Sequence, residues 1–548
     1  MIFCMSEVEQ KARVQAKSSG SSGSHGSIGK MGGALQVAVG IFLSRIVGLV
    51  RMRALAHFLG DSAAGDAFYA AIKIPNFPQN LLGEGVLSAS FIPVYANLVA
   101  KGKEEEAGQV AGIILSLLSL VVAFIVVFGV MLTPYFIDLV APGFDGEKKL
   151  LTIKLVQIIF PGTGLLVISA WCLGVLNSHG RFFLSYVAPV ISNVSVVAAL
   201  IYYRHDSDLG HLATYAAWGL VLGSLLQLLV QLPSSLKLIK KLKLSLNIKL
   251  NSIREILKNF VPVVISRGVV QLSAYIDSIL ASYLPSGAVA VLGYTQAIYM
   301  LPISLFGMSV SAAELPTMSQ SFGDADFNSK LQKRINSSCR KIAFFVVPTV
   351  VGFLLLGDVI ASLLFQSGQF DQQTSRYVWI VLGGSAIGLL ASTLGRLYSS
   401  AFYSLRDTRT PLKFSILRVI LTTVLGYVAG LKIPVWLALD MKWGTAGLTA
   451  SAGFAGWVEF YLLRNKINQI IGHSGLSFKV NVQLWLASLI SGGFAFMAKT
   501  FISIEAVFIK STMVLFIFCL FYFPITIFLG IDESKNVFLK IKQKIGFK

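Results

Sequence analysis

Apolar residues in this chain run in blocks of roughly 20 to 30. Each block is long enough to cross a hydrocarbon layer of roughly 30 Å as a helix, and short polar loops separate them. About fourteen such blocks can be placed, at 34–59, 66–97, 108–138, 150–177, 183–203, 212–233, 254–284, 288–318, 341–365, 375–402, 411–431, 444–463, 481–499 and 506–530. The pattern predicts an all-α polytopic membrane protein with about 14 transmembrane helices.

Two landmarks recur at a single offset. Ser44-Arg45 in the first block is echoed by Ser266-Arg267 in the seventh, and Pro189 after the turn NSHGRFFLSYVAP is echoed by Pro411 after YSLRDTRTP, each 222 residues on. The runs AAWGLVLGSLLQLLVQL and WGTAGLTASAGFAGWVEFYLL also share a Trp/Gly-led, small-residue-rich character. Two pseudo-symmetric six-helix lobes with two appended C-terminal helices are expected. The expected order is a tail over 1–33, an N-lobe over 34–236 (helices 1–6), a basic linker over 237–253, a C-lobe over 254–466 (helices 7–12), helices 13 and 14 over 467–530, and a basic tail over 531–548.

The second and eighth blocks are interrupted. Residues 66–97 as one straight helix would span about 48 Å, well beyond a hydrocarbon core. They contain Pro75-Asn76-Phe77-Pro78 and Gly83-Glu84-Gly85, and the eighth block carries Pro302 and Pro316. Matching breaks in both halves free backbone groups that only a cavity or neighbouring protein can satisfy, which marks a cavity at the repeat interface. Pro75, Pro78 and Gly85 are the expected hinges, against a plainer reading in which the prolines only shape packing.

Composition fits a membrane chain: of 548 residues, 55% are hydrophobic and 13% charged, with a mean hydropathy of +0.73. The net charge of +20 follows topology rather than nucleic-acid binding. With a cytoplasmic N-terminus, one set of alternate loops holds about 30 Lys/Arg against about 6 in the other, so both termini are expected in the cytoplasm. Residues 1–33 lack the apolar core of a signal peptide and read as a disordered cytoplasmic tail. The four cysteines, Cys4, Cys172, Cys339 and Cys519, show no metal or disulfide spacing. No phosphate-cradling Gly-rich loop is present, so an ATP-driven pump is not expected.

About ten cations fall inside the blocks, among them Arg45, Arg51, Arg53, Lys73, Arg267, Arg396 and Arg418. A cation at bilayer depth costs roughly 2.5 kcal/mol or more, so it is kept mostly where it faces water, a counter-ion or an anionic ligand. Arg53, Lys154, Arg376 and Lys510 lie near block ends, where snorkelling accounts for them. Arg45 and Arg51 lie about 120° apart on a helix with Gly48 between them, and Ser44, Gly48 and Arg51 follow one line. Arg267 holds the equivalent place in the repeat. Buried carboxylates are fewer (Asp66, Glu84, Asp277, Glu314, Asp358, Glu459), which predicts a positive cavity and an anionic substrate, with arginine suited to phosphate. In a purely structural alternative, Arg45, Arg51 and Asp66 pair with one another to pin two helices. Asp66 and Lys73, on one face, could join such a network.

At SRIVGLVR, GDAFYAAIKIPN, GEGVLSASFIP, YIDSILASYLPSG, LLFQSGQF and YSLRDTRTP, the chain resembles the MurJ/MviN family of lipid II flippases, within the multidrug/oligosaccharidyl-lipid/polysaccharide exporter superfamily. The resemblance runs from about residue 34 to 530. It implies a bacterial inner-membrane protein with a central cationic cavity and a groove toward helices 13 and 14 for a polyprenyl tail. The implied substrate is undecaprenyl-pyrophosphoryl-disaccharide-pentapeptide, moved outward by alternating access for peptidoglycan synthesis. Substrate-binding residues are then Arg45, Arg51, Arg267, Asp66, Glu84 and Ser44. Asp277 matches a carboxylate that looks like a cation ligand in some members, with Arg418 as its ion-pair candidate.

Family charges are missing at Met52, Gln79, Asn80 and Ala297, and Arg267 is the proposed compensation. No catalytic residue, cofactor or metal is expected; the membrane potential and a monovalent cation are the candidate energy sources. Expected partners are the lipid substrate, membrane lipids and cell-wall synthesis proteins, and not nucleic acid. The competing functions are a flippase for another polyprenyl-pyrophosphate glycan, a cation-coupled multidrug exporter with an acidic cavity, and a cell-wall scaffold without transport.

Overall fold

A computed structural model of the chain describes residues 27–320, 326–536 and 539, with side chains described outside 27–38, 261–263, 265–274 and 320. The described residues are helical almost throughout. Helices α1 (Ser27–Leu59), α2 (Ala63–Leu82), α3 (Glu84–Ala100), α4 (Glu104–Met131), α5 (Thr133–Val140), α6 (Gly146–Ser178), α7 (Phe182–Tyr202), α8 (Leu209–Leu238) and α9 (Asn251–Ser282) come first. They are followed by α10 (Ala288–Pro302), α11 (Ser309–Gln320), α12 (Phe327–Phe365), α13 (Gln372–Ser404), α14 (Arg409–Tyr427), α15 (Ile433–Trp436), α16 (Trp443–Ile471), α17 (Phe478–Phe501) and α18 (Val507–Phe528). One π-helical turn, Ile303–Met308, joins α10 to α11, and another, Val428–Lys432, joins α14 to α15.

Among the described residues, eleven helical segments are long and apolar enough to cross a membrane. Helices α1, α9 and α16 are 33, 32 and 29 residues long and complete the fourteen expected crossings. α1 opens at Ser27, seven residues ahead of the block expected from 34, so the end of the expected tail 1–33 is helical. Gly32 and Gly33 cost a helix about 1 kcal/mol each, which lowers its stability without ending it. Residues 1–26, 537–538 and 540–548, within the expected tails, lie outside the described residues.

The chain divides into two compact units at Ile279/Leu280, within α9. In the N-terminal unit, one apolar cluster joins Leu55, Phe68, Ile159 and Leu212. A second joins Phe91, Tyr95, Ile114 and Trp171. Glycine lets helices meet here: Gly219 and Gly223 of α8 lie against Ala199, Ser192 and Ser195 of α7, where any Cβ would overlap. The linker after α8 crosses α4 in the same way. Gly108 and Gly112, one turn apart, admit the carbonyls of Lys240, Lys241 and Lys243 into the space a side chain would fill. Lys240 then pairs with Glu104 at 2.8 Å and Lys241 with Glu105 at 3.5 Å.

In the C-terminal unit, α13 and α16 pack most closely, with Gly388 directly against Gly453 and the Trp457 indole donating to the Ile387 carbonyl at 2.7 Å. α12 packs on α13, and α17 and α18 pack on each other and on α12, where the Tyr522 hydroxyl donates to the Phe344 carbonyl at 2.6 Å.

Candidate functional site

The break between α2 and α3 falls at Gly83, which leaves the helical region (φ −81°, ψ −155°) before the chain re-enters a helix at Glu84. A Cβ on Gly83 would run into the Gln79 carbonyl oxygen, which accepts the Gly83 amide at 2.8 Å. Only glycine fits this corner. Of the expected hinges, Pro75 and Pro78 lie inside helix α2 and Gly85 lies in the first turn of α3, next to this corner.

The corner opens a cavity of about 900 Å³ inside the N-terminal unit. Arg51 of α1, Gln79 and Asn80 of α2, and Glu84, Gly85 and Ser88 of α3 line it on one side. Ser169 of α6, Ser185, Ser192 and Asn193 of α7, and Gln227 of α8 line the other. Behind them runs a buried hydrogen-bond chain. Gln227 Nε2 donates to Ser169 Oγ at 2.9 Å, Ser169 Oγ donates to Gln231 Oε1 at 2.5 Å, and Gln231 Nε2 donates to the Ser185 carbonyl at 3.5 Å. Such a chain fixes amide orientations that would otherwise rotate.

Two charged side chains stand in this otherwise neutral polar wall, the Arg51 guanidinium and the Glu84 carboxylate. The Arg51 Nε is buried and makes no hydrogen bond among the described residues. A buried donor without a partner costs roughly 1–3 kcal/mol, and more for a charged group, so the position is maintained at the expense of stability. The lining thus combines neutral donors and acceptors with one guanidinium and one carboxylate, and the open Arg51 Nε is the donor it offers to an anionic group on a hydroxyl- and amide-rich body.

The other expected site residues disperse. Glu84 lines the cavity with Arg51, whereas Ser44 and Arg45 are outside its lining, Arg45 being exposed. Asp66 is fully buried and joined to Lys148 of α6 at 2.6 Å, so it pins α2 to α6 instead of facing the cavity. Lys73 donates to Ser278 at 2.5 Å and feels the charge of Asp277, rather than networking with Asp66. Arg418 pairs with Glu459 at 3.1 Å. The Arg267 side chain lies outside the described residues.

Sequence reasoning missed the serines and amides of α6, α7 and α8. The available signal was Gln227 and Gln231 one turn apart in the otherwise apolar run SLLQLLVQL, a spacing that puts both on one face.

A family model described as lipid II flippase MurJ matches residues 55–524. The chain belongs to the MurJ family. Among MurJ relatives, the probable lipid II flippase MurJ of Thermotoga maritima is 31% identical over 437 residues, covering 79% of this chain and 85% of the relative. The lipid II flippase MurJ of Burkholderia cenocepacia is 29% identical over 440 residues, covering 78% and 82%. A solved MurJ in an inward closed conformation shares the fold with a TM-score of 0.74 at 23% identity, over 90% of this chain and 98% of that one. An inward-facing multidrug resistance transporter of the MATE family shares it more loosely, with a TM-score of 0.63 at 19% identity, over 80% and 98%. Gln79 and Asn80, two of the positions where the sequence resemblance implied absent charges, both lie on the cavity wall and present carboxamides there.

Proposed function

We propose that the protein flips lipid II, undecaprenyl-pyrophosphoryl-disaccharide-pentapeptide, from the inner to the outer leaflet of a bacterial inner membrane. The observation that carries this reading is the unpartnered Arg51 in a polar cavity of a MurJ-family membrane chain. In a low-dielectric setting a guanidinium offers two parallel hydrogen bonds to a phosphate. The cavity amides and serines suit sugar hydroxyls and N-acetyl groups. The polyprenyl tail stays in the bilayer, in a groove assigned to α17 and α18 over 467–530.

Both termini are proposed to be cytoplasmic, from the loop bias in Lys and Arg. Transport proceeds by alternating access of two lobes, 34–236 and 254–466, driven by the membrane potential or a monovalent cation. No step makes or breaks a covalent bond, so the protein is read as a transporter and not an enzyme. Its partners are the substrate lipid, membrane lipids and cell-wall synthesis proteins.

The decisive experiment reconstitutes the protein in liposomes with lipid II and scores headgroup exposure, alongside complementation of a flippase-depleted bacterium. Arg51→Ala should abolish both signals, and full activity of that variant would overturn the assignment of Arg51. Exchanging lipid II for another polyprenyl-pyrophosphate glycan tests which headgroup is carried.

A further inference from the structure

A second arginine cluster lies in the C-terminal unit, built by four helices. Arg418 of α14 donates to Glu459 of α16 at 3.1 Å, and Ser415, one turn before Arg418, donates to the other oxygen of that carboxylate at 2.6 Å. Arg396 of α13 stands within electrostatic reach of Arg418, Glu459 and Tyr299 of α10. The Tyr299 hydroxyl donates to Ser392 Oγ at 3.3 Å, one turn from Arg396, which leaves the Ser392 proton available to a further acceptor. α16 comes close at this level, where a Cβ on Gly456 would sit 3.3 Å from Ser392 Oγ.

The charges do not balance. Glu459 is held by Arg418 and Ser415, while the Arg396 side chain makes no ion pair or hydrogen bond among the described residues and is exposed rather than sealed into the packing. Arg396 lies eight residues before the end of α13 and Arg418 nine after the start of α14, so each is about 12 Å or more from a helix end. Snorkelling relieves cations near helix ends. An unpaired arginine beside a second arginine in a membrane helix is retained where an anion or water compensates it.

We propose that Arg396, together with the Arg418–Glu459 pair, forms a second oxyanion site that takes a phosphate or diphosphate group. Arg396 presents its planar fork, Ser392 adds a neutral donor, and Glu459 keeps the Arg418 guanidinium oriented while leaving the cluster one charge positive. Only the identity of the ligand rests on the flippase reading, in which the bound group is the diphosphate of the transported lipid.

The test uses the full chain in phosphatidylcholine nanodiscs, with inorganic pyrophosphate as probe, in an Arg51→Gln background that silences the first cavity. The parent should bind pyrophosphate, and adding Arg396→Gln should weaken binding tenfold or more. Arg396→Lys keeps the charge without the fork and should weaken it about threefold or more. This second variant decides the matter if the glutamine variant does not fold. Affinity within twofold of the parent for the folded variants would overturn the site. Replacing part of the phosphatidylcholine with phosphatidylglycerol should leave pyrophosphate affinity within twofold. Its loss would show that a phospholipid headgroup fills the site and would overturn the assignment to the substrate. Absence of lipid II translocation by the unmodified protein would sink the flippase reading while leaving the pyrophosphate result standing.

Discussion

Lys148 of α6 reaches the fully buried carboxylate of Asp66 at the start of α2 and closes an ion pair at 2.6 Å, with the same ammonium 4.1 Å from the Phe144 ring centre. Breaking a buried pair by removing one partner strands the other charge and costs roughly 3 kcal/mol or more, whereas replacing both with apolar residues is far milder. Asp66→Ala should therefore lower the melting temperature sharply, and Asp66→Leu with Lys148→Met should recover most of the loss. Pyrophosphate affinity of the folded double variant should equal that of the parent. A stable Asp66→Ala protein with lost affinity would return Asp66 to the binding site.

Gly83→Ala pushes a methyl group into the Gln79 carbonyl, and neither atom can rotate away. Overpacking of this kind costs about 1–3 kcal/mol, and here it also re-aims Glu84 and Gln79. Lipid II translocation should fall severely with Gly83→Ala and only mildly with Pro78→Ala. Equal effects would argue against Gly83 as the corner.

Arg51 is held at a cost, and Arg51→Met removes it. The variant should melt at a higher temperature while losing transport, the signature of a residue kept for function. A lowered melting temperature would show instead that Arg51 supports the fold.

His179 follows the end of α6, and its Nε2 meets the Tyr95 hydroxyl at 3.1 Å. Burial first, and then the nearby Arg181, lower its pKa from the ordinary 6.5, with Glu104 opposing weakly. The folded state thus favours the neutral ring. Its contribution to stability is complete above the unfolded value and is lost as pH falls from about 6.5 through the lower folded value. Melting temperatures measured across that window should decline toward acid, and His179→Gln should flatten the slope. An unchanged slope would remove His179 as the cause.

Length and hydropathy made the fourteen crossings legible, because each block must bury a full helix of backbone polar groups in lipid. Arg51 and Glu84 were legible as charges out of place in apolar blocks. Asp66 is paired with Lys148, which lies 82 positions away and carries no local signal, so this partner could not be read from the sequence. Of the two interruptions read in the second block, the break falls at Gly83-Glu84-Gly85, while α2 tolerates both Pro75 and Pro78; the clash that demands glycine at Gly83 depends on a carbonyl direction visible only in three dimensions. Ser169, Ser192 and Asn193 escaped notice because small polar residues in membrane helices commonly serve packing alone.

The glycine pair in α4 also limits how far one helix can wander. With Lys240 to Lys243 locked on Gly108 and Gly112, the slack ahead of α9 is confined to residues 245–250. Six extended residues span roughly 20 Å at most. The connection to α9 therefore behaves as a short leash of fixed anchorage, and a substitution at Gly112 would lengthen that leash without altering a residue in either unit's polar clusters.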